Sequence, residues 1–472
     1  MQITIVGCGK IGQTFAEQLV REGHDVTIID SDGDVVQEIG NRLDVMGYVG
    51  NGAYYKTLEE AGVSKADMVI AVTESDEVNM LSCLTAHKLG VRHTAARVRE
   101  PSYSEQLNFL KEDIGLSMIV NPELSAAKEI ARILRTPSAA RVEVFAGGRM
   151  ELVSLRISER NPLAGMQLAA LAGMSLHVLF CAVDRGGKVV IPDGSFTIHA
   201  GDTVYITGSS ESIVRLFGKM GISTNAAKDV IIAGGGRISY YLSGLLQKTG
   251  ANIKIIERDK ERAERIASEI SERKVIRTTL DHHMLRGSNA VSVVIGDTTN
   301  YELLQEEGIT ECSAFVALTG IDEGNLLSSM YAATRGVPKV ITKVNNHAIA
   351  ALIQDERLDS VISPRDISAN RIVAYVRSLQ NASIGGGNIE SMYRIAGGQA
   401  EVLEFKAGKD NPVLHRQLKD MQLKEGVLLA SILRGSRVII PSGSDYVEAN
   451  DRVMVVTRDH HITKLSDILL ER

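Results

Sequence analysis

Gln2-Ile3-Thr4-Ile5-Val6-Gly7-Cys8-Gly9-Lys10-Ile11-Gly12 decides the fold. A short β-branched run ends on glycines in GxGxxG spacing, and an amphipathic stretch over 11–22 follows at once. A strand that breaks on glycine and resumes as a helix is the first βα turn of a dinucleotide-binding fold. Gly7 permits the sharp turn, Gly9 lets the backbone approach a pyrophosphate, and Gly12 lets the helix pack on the sheet. Cys8, Lys10 and Ile11 fill the loop between the glycines and share its expected contacts. The helix start offers free N–H groups and partial positive charge to phosphates.

A bare GxGxxG is a weak signal, so its surroundings carry the weight. The second predicted strand, 26–30, ends on Asp30, 18 residues past Gly12 (30 − 12). A carboxylate there grips the ribose diol of an adenosine and repels a 2′-phosphate, so NAD(H), ATP or ADP is expected before NADP(H). Asn51, Thr73, Glu74 and Arg97 fall at the carboxyl ends of later strands, where open α/β sheets bind ligands. Asn51 is a candidate to read adenine, Thr73 to bond ribose or phosphate, and Arg97 to neutralise phosphate charge. The alternative for each alone is a solvated turn or surface residue. For the whole it is a Rossmann shell without a ligand.

The arrangement recurs. Val230-Ile231-Ile232-Ala233-Gly234-Gly235-Gly236-Arg237-Ile238-Ser239 repeats the opening at an offset of 227 (234 − 7), and Glu257 repeats Asp30 at the same offset. Gly50-Asn51 then matches Gly296-Asp297 at 246 (296 − 50), so the second copy carries 19 extra residues between about 275 and 294. Thr319 and Lys343 answer Thr73 and Arg97. The second candidate site is therefore Gly234, Gly236, Arg237, Glu257, Asp297, Thr319 and Lys343, with Ser239 in place of the third glycine. Later, Asn161-Pro162-Leu163 answers Asn411-Pro412-Val413. Repeats of this size set the architecture.

Apolar runs at 2–6, 26–30, 45–49, 68–72, 94–98 and 117–120 alternate with amphipathic stretches at 11–22, 33–41, 54–61, 76–89 and 104–112. That βαβ alternation predicts a parallel, doubly wound sheet. The fold expected is α/β: two Rossmann-like domains, each followed by a small α+β lobe. The expected domains are 1–136, 141–222, 228–378 (with the insertion) and 389–472. In the first lobe, strands are expected near 151–157, 176–183, 188–190 and 203–207, and helices near 165–171 and 210–219. Linkers are expected near 135–141, 221–228 and 380–388, the last carrying Gly385-Gly386-Gly387.

The 472 residues allow roughly three or four domains of ~100–200 residues. Tryptophan is absent and aromatics make up 4%, so the cores must be built from Val, Ile, Leu and Ala, which suits buried parallel strands. A net charge of −6 argues against nucleic acid, which needs a basic face. Four scattered cysteines without CxxC pairing read as free thiols. No signal peptide is expected, because the first strand opens at residue 2. The uncharged run from Leu163 to Cys181 is long enough to span a bilayer. Its counterpart, Val413 to Leu433, carries Arg416, Lys419, Asp420, Lys424 and Glu425, so both read as a short helix followed by a strand. His282-His283 and His460-His461 lack metal-ligand spacing and read as solvated loops.

An NAD-dependent oxidoreductase is the alternative function. It needs a proton-transfer residue near the nicotinamide. The candidates His177, expected in a strand, and His199 have no histidine counterparts in the second copy. No GxSxG, HExxH or P-loop lysine motif is present. A duplicated two-domain unit fits a regulator better than a catalyst.

The full chain resembles the TrkA family of potassium-uptake regulators, built from two tandem RCK (KTN) units. The resemblance rests on the first glycine loop, Asp30, Gly50-Asn51-Gly52, Ala71-Val72-Thr73, Asp76-Glu77-Val78-Asn79 and Ala96-Arg97-Val98. In the second half it rests on Ala233-Gly234-Gly235-Gly236-Arg237-Ile238, Ile255-Ile256-Glu257-Arg258, Gly296-Asp297 and the small lobes. It implies a non-enzymatic cytosolic subunit, peripheral on the inner face of the cell membrane, that gates an integral-membrane potassium transporter of the Trk/Ktr class. It also implies rings assembled from RCK units, a homotetramer or a dimer-based ring, and NAD(H) and ATP/ADP as regulatory ligands.

Overall fold

The computed structural model describes residues 1–100, 103, 111, 113–135, 141–145, 149–172, 176–222, 226–280, 291–346, 349–350, 358, 360–382 and 389–470. They form two compact units, one of Met1–Ser125 with Pro364–Val373, the other of Ala126–Ser363 with Ala374–Arg472.

The first unit runs β1 (Gln2–Val6), α1 (Lys10–Arg21), β2 (Asp25–Asp30), α2 (Gly33–Arg42), β3 (Met46–Val49), α3 (Tyr55–Glu60), β4 (Met68–Ala71), α4 (Asp76–Lys88), β5 (His93–Arg97) and β6 (Met118–Val120). The strands pair in the order β3-β2-β1-β4-β5-β6, all parallel. Every residue of β4 is fully buried, the pattern of a parallel strand covered on both faces. Helix α1 turns Phe15, Ala16 and Leu19 to the sheet and stops before Gly23, which takes φ +76. The strand order reverses between β1 and β4, which opens a crevice at their carboxyl ends. The predicted strands and the first four helices agree with these elements to within one residue at each end. Nearly all of the helix expected at 104–112 lies outside the described residues.

α5 (Pro122–Arg135) opens in the first unit and continues into the second. There a small lobe follows: β7 (Arg141–Phe145), β8 (Met150–Arg156), α6 (Leu168–Ala172), β9 (Val178–Arg185), β10 (Lys188–Val190), β11 (Thr203–Gly208) and α7 (Ser210–Lys219). Its antiparallel sheet is ordered β10-β9-β11-β8-β7. The edge strand β7 begins where a linker was expected to end. His177, expected in a strand, instead precedes β9 in a left-handed conformation at φ +51.

The second Rossmann-like sheet is built from β12 (Asp229–Ala233), α8 (Arg237–Gln247), β13 (Asn252–Glu257), α9 (Lys260–Leu280), β14 (Val291–Ile295), α10 (Tyr301–Glu306), β15 (Ala314–Ala317), α11 (Asp322–Thr334), β16 (Lys339–Lys343) and β17 (Ser360–Ile362). Its order, β14-β13-β12-β15-β16-β17, repeats the first sheet. The insertion begins as added helix: α9 has 21 residues where α2 has 10. Residues 281–290 of it, Asp281-His282-His283 included, lie outside the described residues, and its last positions fall in β14.

α12 (Pro364–Ala382) starts in the first unit and ends in the second. The helix thus occupies the first three residues of the linker expected at 380–388. The last lobe contains β18 (Ile389–Ile395), β19 (Ala400–Lys406), β20 (Val427–Arg434), β21 (Arg437–Ile439) and β22 (Arg452–Thr457), ordered β18-β19-β22-β20-β21. The two lobes share one core. Phe145, Met150, Cys181 and Tyr205 pack with Ile395, Val402, Ala430 and Met454. The Ala396 N–H donates to the Tyr205 hydroxyl at 3.0 Å across that junction.

Candidate functional site

In the first crevice, β1 runs into Gly7 at φ +91, and a Cβ there would sit 2.7 Å from the Thr73 nitrogen. Only glycine lets the loop close against the end of β4. A Cβ at Gly12 would fall onto the Gly7 carbonyl oxygen. Gly9 has open space around its Cβ position and caps α1 with no side-chain hydrogen bond. By contrast, Asp32 caps α2 and Ser75 caps α4. The first turn of α1 is therefore left open to an anion, with Lys10 exposed beside it and Ile11 partly buried.

Asp30 lies at the end of β2 and holds the loop itself. Its Oδ2 accepts from the Cys8 N–H at 2.5 Å and its Oδ1 from the Asp32 N–H at 3.0 Å. A carboxylate has about four lone-pair sites, so two remain for a diol. The Cys8 thiol is pushed up to about 12, by burial first and then by the Asp30 charge, and stays an inert thiol. The other three cysteines are likewise free and buried.

The roof of the crevice is a strut that sequence reasoning did not single out as a site residue. Asn79, fully buried on α4, accepts from the Thr73 N–H at 2.7 Å and the Thr73 hydroxyl at 2.8 Å. It donates to the carbonyls of Thr73 at 3.2 Å and Arg97 at 3.0 Å. Thr73 thus spends its hydroxyl proton on the scaffold. The strut ties the ends of β4 and β5 together behind the glycine loop. Asp76 extends it by accepting from the N–H groups of Arg99 and Glu100 at 2.8 and 2.9 Å. Glu74 is exposed, and its carbonyl accepts from the Arg99 guanidinium.

Asn51 caps its own turn, its Oδ1 accepting from the Ala53 N–H at 2.9 Å. Arg97 is largely buried and pairs with Glu123 on the first turn of α5, Nη2 to Oε1 at 3.0 Å. Burial lowers the guanidinium from its ordinary value, and Glu123 partly offsets that.

The second crevice repeats this construction. Glu257 Oε2 accepts from the Gly235 N–H at 2.6 Å and Oε1 from the Asp259 N–H at 2.9 Å. Gly234 takes φ +101, and Gly236 caps α8 with no side-chain bond, next to exposed Arg237. Asn325 bonds the Thr319 N–H and hydroxyl at 2.8 and 2.7 Å, and the carbonyls of Thr319 and Lys343 at 3.2 and 3.0 Å. Ser239 is accommodated: its hydroxyl donates to the Gly234 carbonyl at 2.5 Å, so the serine fastens the loop. Asp297 accepts from the Thr299 N–H and hydroxyl, which hold its carboxyl below the ordinary value. Arg258 lies 3.8 Å from Asp297, and Arg262 3.8 Å from Glu257. The first copy has Ser31 and Val35 at those two places, so it lacks such cations there.

Among the described residues, no group of three His, Cys, Asp or Glu side chains is placed to hold a metal, and no helix is long and apolar enough to cross a membrane. His460 was read as a loop residue. It is half-exposed, and its Nδ1 lies 3.1 Å from buried Glu401.

Residues 3–122 and 275–364 match the TrkA-N domain family, and residues 152–221 and 402–470 match the TrkA-C domain family. The Trk system potassium uptake protein TrkA of Halomonas elongata is 33% identical over 97% of this chain and 96% of its own length. A TrkA homolog of Archaeoglobus fulgidus is 31% identical over 99% of this chain and 100% of its own length. The chain belongs to the TrkA family. The second TrkA-N match begins inside α9, beyond the second glycine loop. Among solved structures, the GsuK channel superposes with a TM-score of 0.63 at 17% identity, covering 97% of this chain and 76% of its own. The GsuK RCK domain gives 0.61 at 16% identity, covering 96% and 92%. A further GsuK structure, described as bound to NAD, gives 0.61 at 16%, covering 97% and 76%. These likenesses establish the tandem RCK fold.

Proposed function

We propose that this TrkA-family chain is a cytosolic regulatory subunit, peripheral on the inner face of the cell membrane, that gates an integral-membrane potassium transporter in response to adenine nucleotides. The observation that carries the nucleotide part is the uncapped first turn of α1, set behind a glycine loop that Asp30 holds rigid. The full-length match to potassium-uptake proteins supports the transporter part.

In this reading the first crevice holds the ligand through Gly7, Cys8, Gly9, Lys10, Ile11, Gly12 and Asp30, with Asn51, Thr73, Glu74 and Arg97 around it. The free lone pairs of Asp30 take the ribose diol, and the α1 N–H groups take the first phosphates. Gly234, Gly236, Arg237, Glu257, Asp297, Thr319 and Lys343 form a second, more basic site. NAD(H) and ATP/ADP share an ADP core and differ beyond the second phosphate, the end that faces Thr73 and Arg97. The nucleotide is an effector and not a co-substrate, because neither site carries a repeated proton-transfer residue. A ligand moves the ring only by its differential affinity for two conformations, typically worth about 1–3 kcal/mol. Assembly is a homotetramer. Exposed Leu327 and Met330 on α11, and Leu81 on α4, supply apolar surface for packing between copies.

Calorimetry of the full chain with ATP, ADP, NADH and NADPH tests the reading, alongside co-purification with a membrane partner. Binding of ATP, ADP or NADH is expected, with NADPH weakest, and Asp30→Ala is expected to abolish ligand-dependent transport. Absence of adenine-nucleotide binding would overturn it, and steady NADH oxidation with a carbonyl substrate would point to the oxidoreductase instead.

A further inference from the structure

The two crevices differ most where the ribose of an adenosine would lie. From the end of β2 into α2 the first reads Asp30-Ser31-Asp32-Gly33-Asp34-Val35. From the end of β13 into α9 the second reads Glu257-Arg258-Asp259-Lys260-Glu261-Arg262. The three carboxylates keep their register, and a cation follows each of them in the second copy. The formal charge of the six residues moves from −3 to 0 (3 − 3). A further reversal, Glu123 against Arg365 at the offset of 242 by which β17 repeats β6 (362 − 120), belongs to α12 and not to this rim.

The scaffold does not call for these cations. Positive charge in the first turn of a helix opposes its dipole, and Lys260 and Arg262 both stand in the first turn of α9. Arginines that serve the scaffold of this chain are tied down: Arg185 grips Asp202 through Nε and Nη2, both at 2.8 Å. Arg258 and Arg262 are 72% and 58% exposed, and each comes only to 3.8 Å of a carboxylate. Neither guanidinium donates a hydrogen bond among the described residues. The carboxylate beside them is withdrawn. Glu257 is buried where Asp30 is partly exposed, and its two oxygens are clipped to the N–H groups of Gly235 and Asp259.

We infer that the second crevice accepts an adenine nucleotide carrying a 2′-phosphate, with Arg258 and Arg262 as the groups that hold that phosphate. This rests on the nucleotide reading of that crevice. In a dinucleotide fold the carboxylate at this strand end bonds the ribose 2′-hydroxyl, and an arginine beside it accommodates a 2′-phosphate. A guanidinium fork matches two phosphate oxygens at once, and two such forks neutralise the group. In the first crevice the same phosphate meets Asp30, Asp32 and Asp34 with no cation among the six residues, and is refused. The chain then keeps one crevice for nucleotides with a free 2′-hydroxyl and one that also takes the 2′-phosphorylated form. NADPH fills one site per chain and stays the least bound nucleotide of the chain as a whole.

The test is titration calorimetry of the full chain with NADPH and NADH, comparing wild type with the double variant Arg258→Ser, Arg262→Val, which installs the residues of the first crevice. Wild type should bind NADPH at one site per chain. The double variant should bind NADPH about tenfold or more weakly, the loss expected when hydrogen bonds from charged groups are removed, with NADH changed far less. Absence of NADPH binding in a wild type that binds NADH overturns the inference and leaves the nucleotide reading standing. So does an NADPH affinity that the variant leaves unchanged, or an equal loss for both ligands. No binding of any adenine nucleotide to wild type removes both. If the variant folds poorly, wild-type hydrogen exchange decides: NADPH should protect residues 258–262 more than NADH does, and equal protection overturns the assignment.

Discussion

Replacing Arg377 by methionine should loosen the second lobe far more than replacing the residue together with its partner. Glu401 on β19 is fully buried, and Arg377 on α12 is 4% exposed. The guanidinium grips the carboxylate at both ends, Nη1 to Oε2 at 2.7 Å and Nη2 to Oε1 at 3.2 Å. Arg394 and His460 approach Oε1 at 3.4 and 3.1 Å. Burial pushes the Glu401 carboxyl up, but the Arg377 bonds and charge, with His460 behind them, outweigh it and hold it below the usual glutamate value. Removing one partner of a buried pair costs about 3–5 kcal/mol, because it strands a charge. Arg394 and His460 remain, so the lower end, ~3 kcal/mol, is expected. Replacing both residues by apolar ones of similar volume, Arg377→Met with Glu401→Leu, should be close to neutral. A multidomain chain does not unfold in one step, so native-state hydrogen exchange of the β19 amides is the right assay. The single variant should exchange about a hundredfold faster, and the double near wild type. The sign with pH follows. A depressed folded value contributes stability above the ordinary glutamate value of about 4.3, and that stability disappears as pH falls through the lowered folded value. Wild-type β19 should thus lose protection in acid, and Glu401→Gln should show a flatter profile. Equal exchange in the single and double variants would refute the reasoning.

Three further outcomes are expected. Gly12→Ala drives a methyl into the Gly7 carbonyl and should cost about 1–3 kcal/mol of overpacking, read as faster hydrogen exchange of the β1 and α1 amides, together with lost nucleotide affinity. Ser239→Ala removes the donor that fastens Gly234 and should cost about 1 kcal/mol, read as faster exchange at residues 234–239. Asn79→Ala strands the Thr73 N–H and should cost more than about 2 kcal/mol, with protection lost together at residues 71–75 and 96–99.

The Rossmann halves were legible because their signals are local. A glycine that must take positive φ, a carboxylate at the end of β2 and buried strands of Val, Ile and Ala each mark their own position. Asn79 was quoted within a motif, but its role was hidden because it bonds residues on two other strands, and spacing along the chain does not reveal such geometry. Glu123 was missed for the same reason: its partner is 26 residues away across a crossover. The edge strand β7 was placed in the first lobe but not named as a strand, since Arg141-Val142-Glu143-Val144-Phe145 directly follows a segment rich in turn formers. The shared core of the two lobes is a long-range packing between halves, which no periodicity within either half encodes.

The two halves keep the same scaffold and differ where a ligand would lie. The carboxylate clip on the glycine loop and the asparagine strut recur bond for bond, Asp30 with Glu257 and Asn79 with Asn325. The differences are Gly12 against Ser239, Asn51 against Asp297, Arg97 against Lys343, Glu123 against Arg365, and two added arginines, Arg258 near Asp297 and Arg262 near Glu257. The clip and the strut have stayed the same, while charge has changed around them at Asn51 against Asp297, Glu123 against Arg365, Ser31 against Arg258 and Val35 against Arg262. On the nucleotide reading proposed above, crevices that differ in charge in this way would favour occupants that differ in charge.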